Sequence, residues 1–158
     1  MSKKSRWQRQ VGALPIDIAS NGEAYVLLVT SRETKRWVIP KGWPSRKMSD
    51  SKAAAREAEQ EAGVLGKIER KPIGRYTYRK VLPAGSRMIE VDVYPLWVRK
   101  ELKKWSEQSE RTRIWATFDQ AAKLVREPSL QRLFSKIADD LRNHSADEIA
   151  ETRDQGSK

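Results

Sequence analysis

The sequence predicts an α/β domain, because runs typical of strands alternate along the chain with segments of helical periodicity. Two apolar runs flank an Asn-Gly pair at 21–22, which is a strong signal for a β-hairpin. An alanine-rich segment that carries carboxylates follows at 49–63, and apolar residues recur at helical spacing over 129–143. With 158 residues, of which 38% are hydrophobic, the chain is expected to form one compact core.

The first part of the chain predicts three strands. Residues 11–19 and 24–30 form the hairpin, and a polar turn at 31–36 precedes a short strand at 37–40. This third strand leads into a basic loop that begins with Lys41 and Gly42. Loops held by a rigid sheet often carry binding residues, so the basic residues of the turn are candidates for phosphate contacts, with a solvated turn as an equal alternative.

The segment at 49–63 has both start and stop signals of a helix. Ser49, Asp50 and Ser51 are possible N-caps, and Gly63 stands where a left-handed C-terminal cap is favoured. Carboxylates and an amide fall on one stripe, and a separate face of alanines can press closely on a sheet. Such oxygen ligands suit Mg²⁺ or Mn²⁺, although a charged stripe is also the usual solvated side of an amphipathic helix.

The second part of the chain predicts a hairpin, a charged loop and two helices. Residues 67–81 and 88–98 pair through a turn at 83–85, the loop spans 105–115, and a helix begins at the N-cap Thr117 before the last helix at 129–143. The hairpin is basic and carries Arg75, Arg79, Lys80 and Arg87. These side chains could line a groove for several phosphates or form an exposed charged surface.

Composition favours some partners and excludes some sites. The formal charge of +11 and pI near 10.0 favour polyanions such as phosphorylated metabolites, RNA or anionic surfaces, with improved solubility as the alternative reading. The absence of Cys and the single His exclude disulfides and a Cys/His zinc site. Without a secretory signal or a run that could span a bilayer, we expect a soluble cytoplasmic protein. The expected boundaries are a basic segment at 1–8, one domain at 9–143 and a polar disordered tail at 144–158.

The segment 37–64, WVIPKGWPSRKMSDSKAAAREAEQEAGV, resembles the Nudix box, G-x5-E-x7-REUxEExGU, where U is a bulky aliphatic residue. The matching positions are Gly42, Arg56, Glu57, Glu61, Gly63 and Val64, with Ala58 at an aliphatic position. Met48 and Gln60 stand at two positions where the pattern has glutamate. The likeness extends over about residues 6–141. Within the superfamily, the RTRIW segment, the Ser-Arg turn at 31–32 and the surrounding basic residues are most similar to diphosphoinositol polyphosphate phosphohydrolases, some of which also act on diadenosine polyphosphates, and to their bacterial relatives.

This resemblance implies a Nudix fold, in which a mixed β-sheet is sandwiched between helices, and a metal-dependent pyrophosphohydrolase. It implies that Glu57 and Glu61 bind Mg²⁺ or Mn²⁺, with Glu57 as the general base and the carbonyl of Lys41 as a further ligand. Gln60 could coordinate only through a neutral oxygen, so weaker metal binding is expected. Met48 is unsuited to a hard cation.

The remaining candidate roles concern orientation and phosphate binding, and those of Arg32, Arg111 and Arg113 come from the resemblance. Arg56 could orient a carboxylate, and Glu107 and Glu110 lie in the loop where relatives place an additional catalytic carboxylate. Glu90 and Asp92 could supply the missing negative charge. The candidate phosphate contacts are Arg32, Lys41, Gly42, Arg75, Arg79, Arg111 and Arg113.

Three functions remain open at this point. The first is a hydrolase of phosphoanhydride bonds in a highly phosphorylated small molecule, such as a diphosphoinositol polyphosphate or a dinucleoside polyphosphate. The second is an RNA 5′-end pyrophosphohydrolase, which would need Trp43 or Trp105 at the mouth of the site for base stacking. The third is a weakened Nudix-fold module that binds polyanions, suggested by Met48 and Gln60.

Overall fold

A computed structural model describes the backbone of residues 7–156 and the side chains of residues 7–143. The strands are β1 (Trp7–Ile18), β2 (Ala24–Thr30), β3 (Trp37–Val38), β4 (Lys41–Gly42), β5 (Val64–Ile68), β6 (Gly74–Leu82), β7 (Gly85–Glu101) and β8 (Arg113–Thr117). The helices are α1 (Asp50–Glu57), which continues as a π-helical turn (Ala58–Ala62), α2 (Phe118–Leu124) and α3 (Pro128–Gly156).

In the described part of the chain, the strands form one mixed sheet whose central path is β3-β2-β1-β7-β5. Strands β1 and β7 are parallel, and every other pairing in the sheet is antiparallel. The short strand β4 pairs with β1, placing Gly42 opposite Val11. The loop that leads into α1 is therefore anchored at the middle of the sheet.

Two apolar cores cover the two faces of this sheet, because successive residues of a strand point to opposite sides. Leu14 of β1 belongs to the core that contains Phe134 of α3, whereas the preceding Ala13 belongs to the core that contains Ala54 and Ala58. Helix α1 thus covers one face, and α2 and α3 cover the other. The predicted fold class, a mixed sheet sandwiched between helices, is confirmed.

Two strands differ from the sequence prediction. Strand β5 directly follows the π-helical turn, and residues 69–73 separate it from β6, where the sequence predicts one long strand over 67–81. Pro72 lies in this break and has no N–H to donate to a sheet ladder. Strand β8 lies where a charged loop is predicted, with Trp115 opposite Leu27 of β2. Pairing with a neighbour that is distant in sequence determines this strand.

The ends of the domain also differ. Strand β1 begins at Trp7, inside the predicted basic segment 1–8, of which residues 1–6 lie outside the described part. Helix α3 continues to Gly156, where the sequence predicts a disordered tail from 144, since residues 144–155 contain neither Pro nor Gly to interrupt it. Residues 157–158 are outside the described part. Over the described residues, none of the helices is both long and apolar enough to cross a membrane.

Candidate active site

Helix α1 and its π-helical turn carry the acidic side of the site. The Ser49 side chain accepts a hydrogen bond from the backbone N–H of Lys52 at 3.4 Å, and Gly63 ends the turn with a left-handed φ of 66°. Both predicted caps are thus confirmed. Ala54 and Ala58 are fully buried, so this face presses on the sheet. The helix therefore sits close to β4, and its carboxylates face the loop that precedes it.

An open cavity of about 390 Å³ lies between this helix, the sheet and two loops. Its acidic residues are Glu33, Glu57, Glu61 and Glu107. Its basic residues are Arg32, Lys41, Lys80 and Arg111. The remaining lining residues are Gln10, Ser31, Thr34, Gly42, Trp43 and Tyr78. Carboxylates and cations from distant parts of the sequence thus meet in one space, which we call the central cavity.

Gly42 makes room for the carboxylate of Glu57. A Cβ atom built on Gly42 would lie 2.4 Å from the carboxyl carbon of Glu57, much closer than van der Waals contact. The carboxylate therefore rests directly on the backbone of β4. This contact gives a physical reason for a glycine at the first position of the box motif.

Glu61 is the more deeply buried of the two helical carboxylates, with 4% of the residue exposed. Burial raises the pKa of Glu61 to about 8, and a hydrogen bond with Glu57 acts in the same direction. The Arg111 guanidinium, 3.5 Å away, acts against this shift. The charged form of Glu61 is thus disfavoured both by burial and by the neighbouring Glu57 carboxylate.

Arg111 joins the loop after β7 to the helix. Its side chain is 9% exposed, lies 2.9 Å from Glu107, and donates to the carbonyl oxygen of Thr30 at 3.1 Å. Arg32 lies 3.8 Å from the same Glu107 carboxylate and is 59% exposed. Arg111 is therefore largely occupied by protein partners, whereas Arg32 remains accessible to a ligand.

Two aromatic side chains of the cavity each have a lysine over the ring. The Lys41 amine lies 5.1 Å from the ring centre of Tyr78, and the Lys80 amine lies 5.4 Å from that of Trp43. Burial lowers the pKa of Lys41, and the carboxylates of Glu61 and Glu127 act in the opposite direction. Trp43 is 49% exposed, so a large apolar surface faces solvent beside the cationic groups.

The carboxylates fit a hard divalent cation that takes its other ligands from elsewhere. Within the residues described, no group of three or more His, Cys, Asp or Glu side chains is arranged to hold a metal ion. Glu57 and Glu61 nevertheless adjoin each other and line the central cavity at a position that a cation could take. Mg²⁺ commonly uses one or two carboxylates together with water and substrate phosphates. This pair therefore suits a metal that completes its coordination with water and, when substrate is bound, with phosphate oxygens.

Three predicted residues of the box and the following loop lie outside the cavity lining. Arg56 is exposed, and Gln60 lines a separate depression beside Trp105. Glu110 is 49% exposed at 4.0 Å from Arg32. Met48 packs against the apolar core next to α1, so the side chain at the first glutamate position of the box serves packing.

Three predicted phosphate contacts also lie elsewhere. Arg75 pairs with Asp92 at 2.8 Å and with Glu90 at 3.7 Å, and these two acids therefore do not reach the central cavity. Arg79 is exposed on the face of β6 opposite to Tyr78 and Lys80, as strand alternation requires. Arg113 donates to main-chain carbonyls at the end of the π-helical turn.

Several residues that line the central cavity were not predicted as site residues from the sequence. Tyr78 donates from its hydroxyl to the side chain of Gln10 at 2.7 Å, which links β6 to β1. Lys80 appears in the sequence only as one of several hairpin cations. The alternation of β6 could have separated Tyr78 and Lys80 from Arg79, whereas nothing local in the sequence marks Gln10.

The family model of the NUDIX domain matches residues 7–136. The chain belongs to the Nudix family. The predicted family is therefore confirmed, and the relatives that match are named as Nudix hydrolases, the enzyme class that the sequence predicts.

Relatives of known name are similar over most of this chain. Nudix hydrolase 18, mitochondrial, of Arabidopsis thaliana is 33% identical over 130 residues, which are 78% of this chain and 72% of that protein. Diphosphoinositol polyphosphate phosphohydrolase 3-beta of Bos taurus is 33% identical over 109 residues, which are 67% of this chain and 63% of that protein. The chain spans only 59% of Nudix hydrolase 16, mitochondrial, of Arabidopsis thaliana. Because two of these three names include "mitochondrial", the cytoplasmic location stays a prediction.

Solved structures share the fold at low sequence identity. The Ap4A hydrolase binary complex of C. elegans gives a TM-score of 0.64 at 18% identity, over 86% of this chain and 98% of that one. The MutT protein of Methanosarcina mazei Go1 gives a TM-score of 0.65 at 18% identity, over 88% of this chain and 98% of that one.

Proposed function

We propose that the chain hydrolyses a phosphoanhydride bond in a highly phosphorylated small molecule, of the diphosphoinositol polyphosphate or dinucleoside polyphosphate type, with Mg²⁺ or Mn²⁺. The observation that carries this proposal is the central cavity, where Glu57 and Glu61 face Lys41, Lys80 and Arg32. The carboxylates suit a divalent cation, and the cations suit the anionic remainder of the substrate. The names of the bovine relative and the C. elegans structural neighbour support this substrate class.

In this proposal Glu57 and Glu61 hold the metal, which would polarise the reacting phosphoryl group and neutralise its charge. Glu57 accepts a proton from the attacking water as the water oxygen bonds to phosphorus and the anhydride P–O bond breaks. The leaving phosphate keeps the bond electrons as an anion. Lys80 and Arg32 bind the phosphates that do not react, while Arg111 holds Glu61 and Glu107 in position.

The test is a product assay with Mg²⁺ or Mn²⁺ on diadenosine polyphosphates, ADP-ribose, an inositol pyrophosphate and triphosphorylated RNA. We expect metal-dependent cleavage in the wild type and a loss of at least about 100-fold in Glu57→Gln and Glu61→Gln. Glu59→Gln is the matched control, because Glu59 is exposed on the same helical segment but lies outside the central cavity. Wild-type activity in Glu61→Gln would contradict the metal assignment.

One observation favours RNA 5′ ends as a second candidate substrate. Trp43 is half exposed at the cavity and could stack a base, whereas Trp105 packs under the end of the helix. If bases stack on Trp43, Trp43→Ala raises KM for RNA and dinucleotides by about 10-fold and leaves KM for inositol pyrophosphates unchanged. Trp7→Ala is the control, because Trp7 is exposed elsewhere.

The third candidate is a polyanion-binding module without turnover. Met48 packed against the core and Gln60 outside the cavity favour it, since neither adds charge to the metal site. Tight binding of an inositol pyrophosphate by the folded wild type, without phosphate release at any Mg²⁺ or Mn²⁺ concentration, would support this function against hydrolysis.

A further inference from the structure

The main-chain carbonyls at the end of the π-helical turn all have hydrogen-bond partners, most of them from one segment. Gly63 donates to Glu59 within the turn at 3.1 Å. Glu107 donates its N–H to the carbonyl of Gln60 at 3.0 Å, and Leu102 donates to that of Gly63 at 2.7 Å. Helix ends normally leave such acceptors to water or to capping groups. Here residues 102–113 supply the donors, so this segment is joined to the helix that bears Glu61.

The side chain of Trp105 contacts the main chain of Glu61, the candidate metal ligand. The indole N–H donates to the carbonyl of Glu61 at 3.1 Å. A Cβ atom on Gly63 would lie 2.5 Å from the indole ring, so the ring rests on the backbone where the chain turns left-handed. The side chain therefore fixes both the carbonyl of Glu61 and the residue that ends the turn.

Arg113 completes this arrangement from β8. Its guanidinium donates to the carbonyl of Ala62 at 2.8 Å and to that of Leu102 at 3.1 Å. The same group lies 4.0 Å above the ring of Trp105, in cation–π contact. All of these partners are main-chain oxygens or the indole, so the positive charge of Arg113 serves the end of the helix.

We propose that Trp105 and Arg113, which we call the clamp, are positioning residues that hold Glu61 by its main chain at the place where it binds the divalent cation. The inference rests on the proposed function, because it takes Glu61 as a metal ligand. Groups that orient a ligand from behind commonly change metal affinity by about 10-fold or more when they are removed. The clamp also explains why Arg113, a predicted phosphate contact, points away from the central cavity.

The decisive variant is Trp105→Phe, which keeps an aromatic ring for Gly63 and Arg113 but removes the N–H that bonds to Glu61. Arg113→Lys is the second variant, because it keeps the charge and loses the fork of donors. Trp115→Phe is the matched control, since it also loses an indole N–H, donated at 2.8 Å to Glu101 away from the cavity. Mn²⁺ binding to each folded protein is measured by the electron paramagnetic resonance signal of free Mn²⁺, without substrate, and kcat and KM are measured separately.

We expect Trp105→Phe and Arg113→Lys to weaken Mn²⁺ binding by about 10-fold and to lower kcat at fixed metal concentration, with KM and the control unchanged. Wild-type Mn²⁺ affinity in both variants would overturn the clamp while leaving the metal site intact. A wild type that binds Mn²⁺ no better than Glu61→Gln would overturn the metal site itself, and the role of the clamp with it.

Discussion

Gly42 illustrates at the scale of one residue how backbone space controls a catalytic side chain. In Gly42→Ala the new methyl group would occupy the position of the Glu57 carboxylate, which is the far end of a flexible side chain. We expect the fold to tolerate this displacement and kcat to fall by about 100-fold, because misplacement by about 1 Å has that effect on a reacting group. Steady-state kinetics and thermal unfolding of the same preparation check both parts.

The control for this variant is Gly85→Ala, which should behave in the opposite way. Gly85 has a φ of 128° and open space around its Cα, so a methyl group strains the backbone and contacts nothing. We expect a loss of about 1 kcal/mol in the free energy of unfolding and unchanged kinetics. Full activity in Gly42→Ala would show that the position of the Glu57 carboxylate does not matter.

At Arg111 we expect an effect on stability, because this residue is a buried cation between two carboxylates. Arg111→Ala leaves Glu61 and Glu107 without their shared partner and Thr30 without its donor. We expect the free energy of unfolding to fall by about 3 kcal/mol, which urea denaturation measures. Arg142→Ala is the control, because Arg142 pairs with Asp119 and Asp139 at the exposed surface, where removal costs less than about 1 kcal/mol. If both variants lose the same free energy of unfolding, the ion pairs of Arg111 contribute no more than exposed surface pairs do.

At the scale of an element, strand β6 places two neighbouring cations on opposite faces of the sheet, where we expect them to differ in function. Lys80 lines the central cavity and Arg79 faces the other side of the strand. We expect Lys80→Ala to raise KM about 10-fold with little change in kcat, the loss expected for one charge-assisted contact, and Arg79→Ala to have no effect. Initial-rate kinetics at constant ionic strength distinguish them. A larger effect of Arg79→Ala would mean that phosphates bind on the outer face of the hairpin.

The elements that the sequence predicts well are those encoded by local chemistry. The Ser49 cap, the Gly63 cap and the Asn-Gly hairpin each depend on a few adjacent residues, and the structure contains them all. Strand β8 was not predictable in this way, because its pairing with β2 decides its conformation. Pro72 does mark the break between β5 and β6, which attention to the missing N–H would have indicated.

The central cavity likewise contains some residues that adjacent sequence predicts and others that sheet pairing brings in from distant parts of the chain. The box motif predicts that Glu57, Glu61, Lys41 and Gly42 come together, because helix and loop are adjacent in sequence. Which basic residues join them depends on strand alternation and on pairing across the sheet. Arg75 and Arg113 are arginines like Arg32, but both lie outside the central cavity. Arg75 pairs with acidic side chains, and Arg113 donates to main-chain oxygens. Charge alone therefore cannot assign a phosphate contact.

At the scale of the whole molecule, a cation bound between Glu57 and Glu61 links metal concentration to stability. Burial and the neighbouring Glu57 disfavour the charged form of Glu61 even with Arg111 nearby, as its raised pKa of about 8 indicates. A metal that binds only the folded chain stabilises that chain by mass action. At 100 times the dissociation constant, the free energy of unfolding should rise by about 2.7 kcal/mol. Denaturant unfolding with Mg²⁺, and again after chelation, measures this increment. Glu61→Gln should lose it, whereas Glu59→Gln should keep it, because Glu59 lies outside the central cavity. An equal increment in all three proteins would mean that the cation binds elsewhere on the chain.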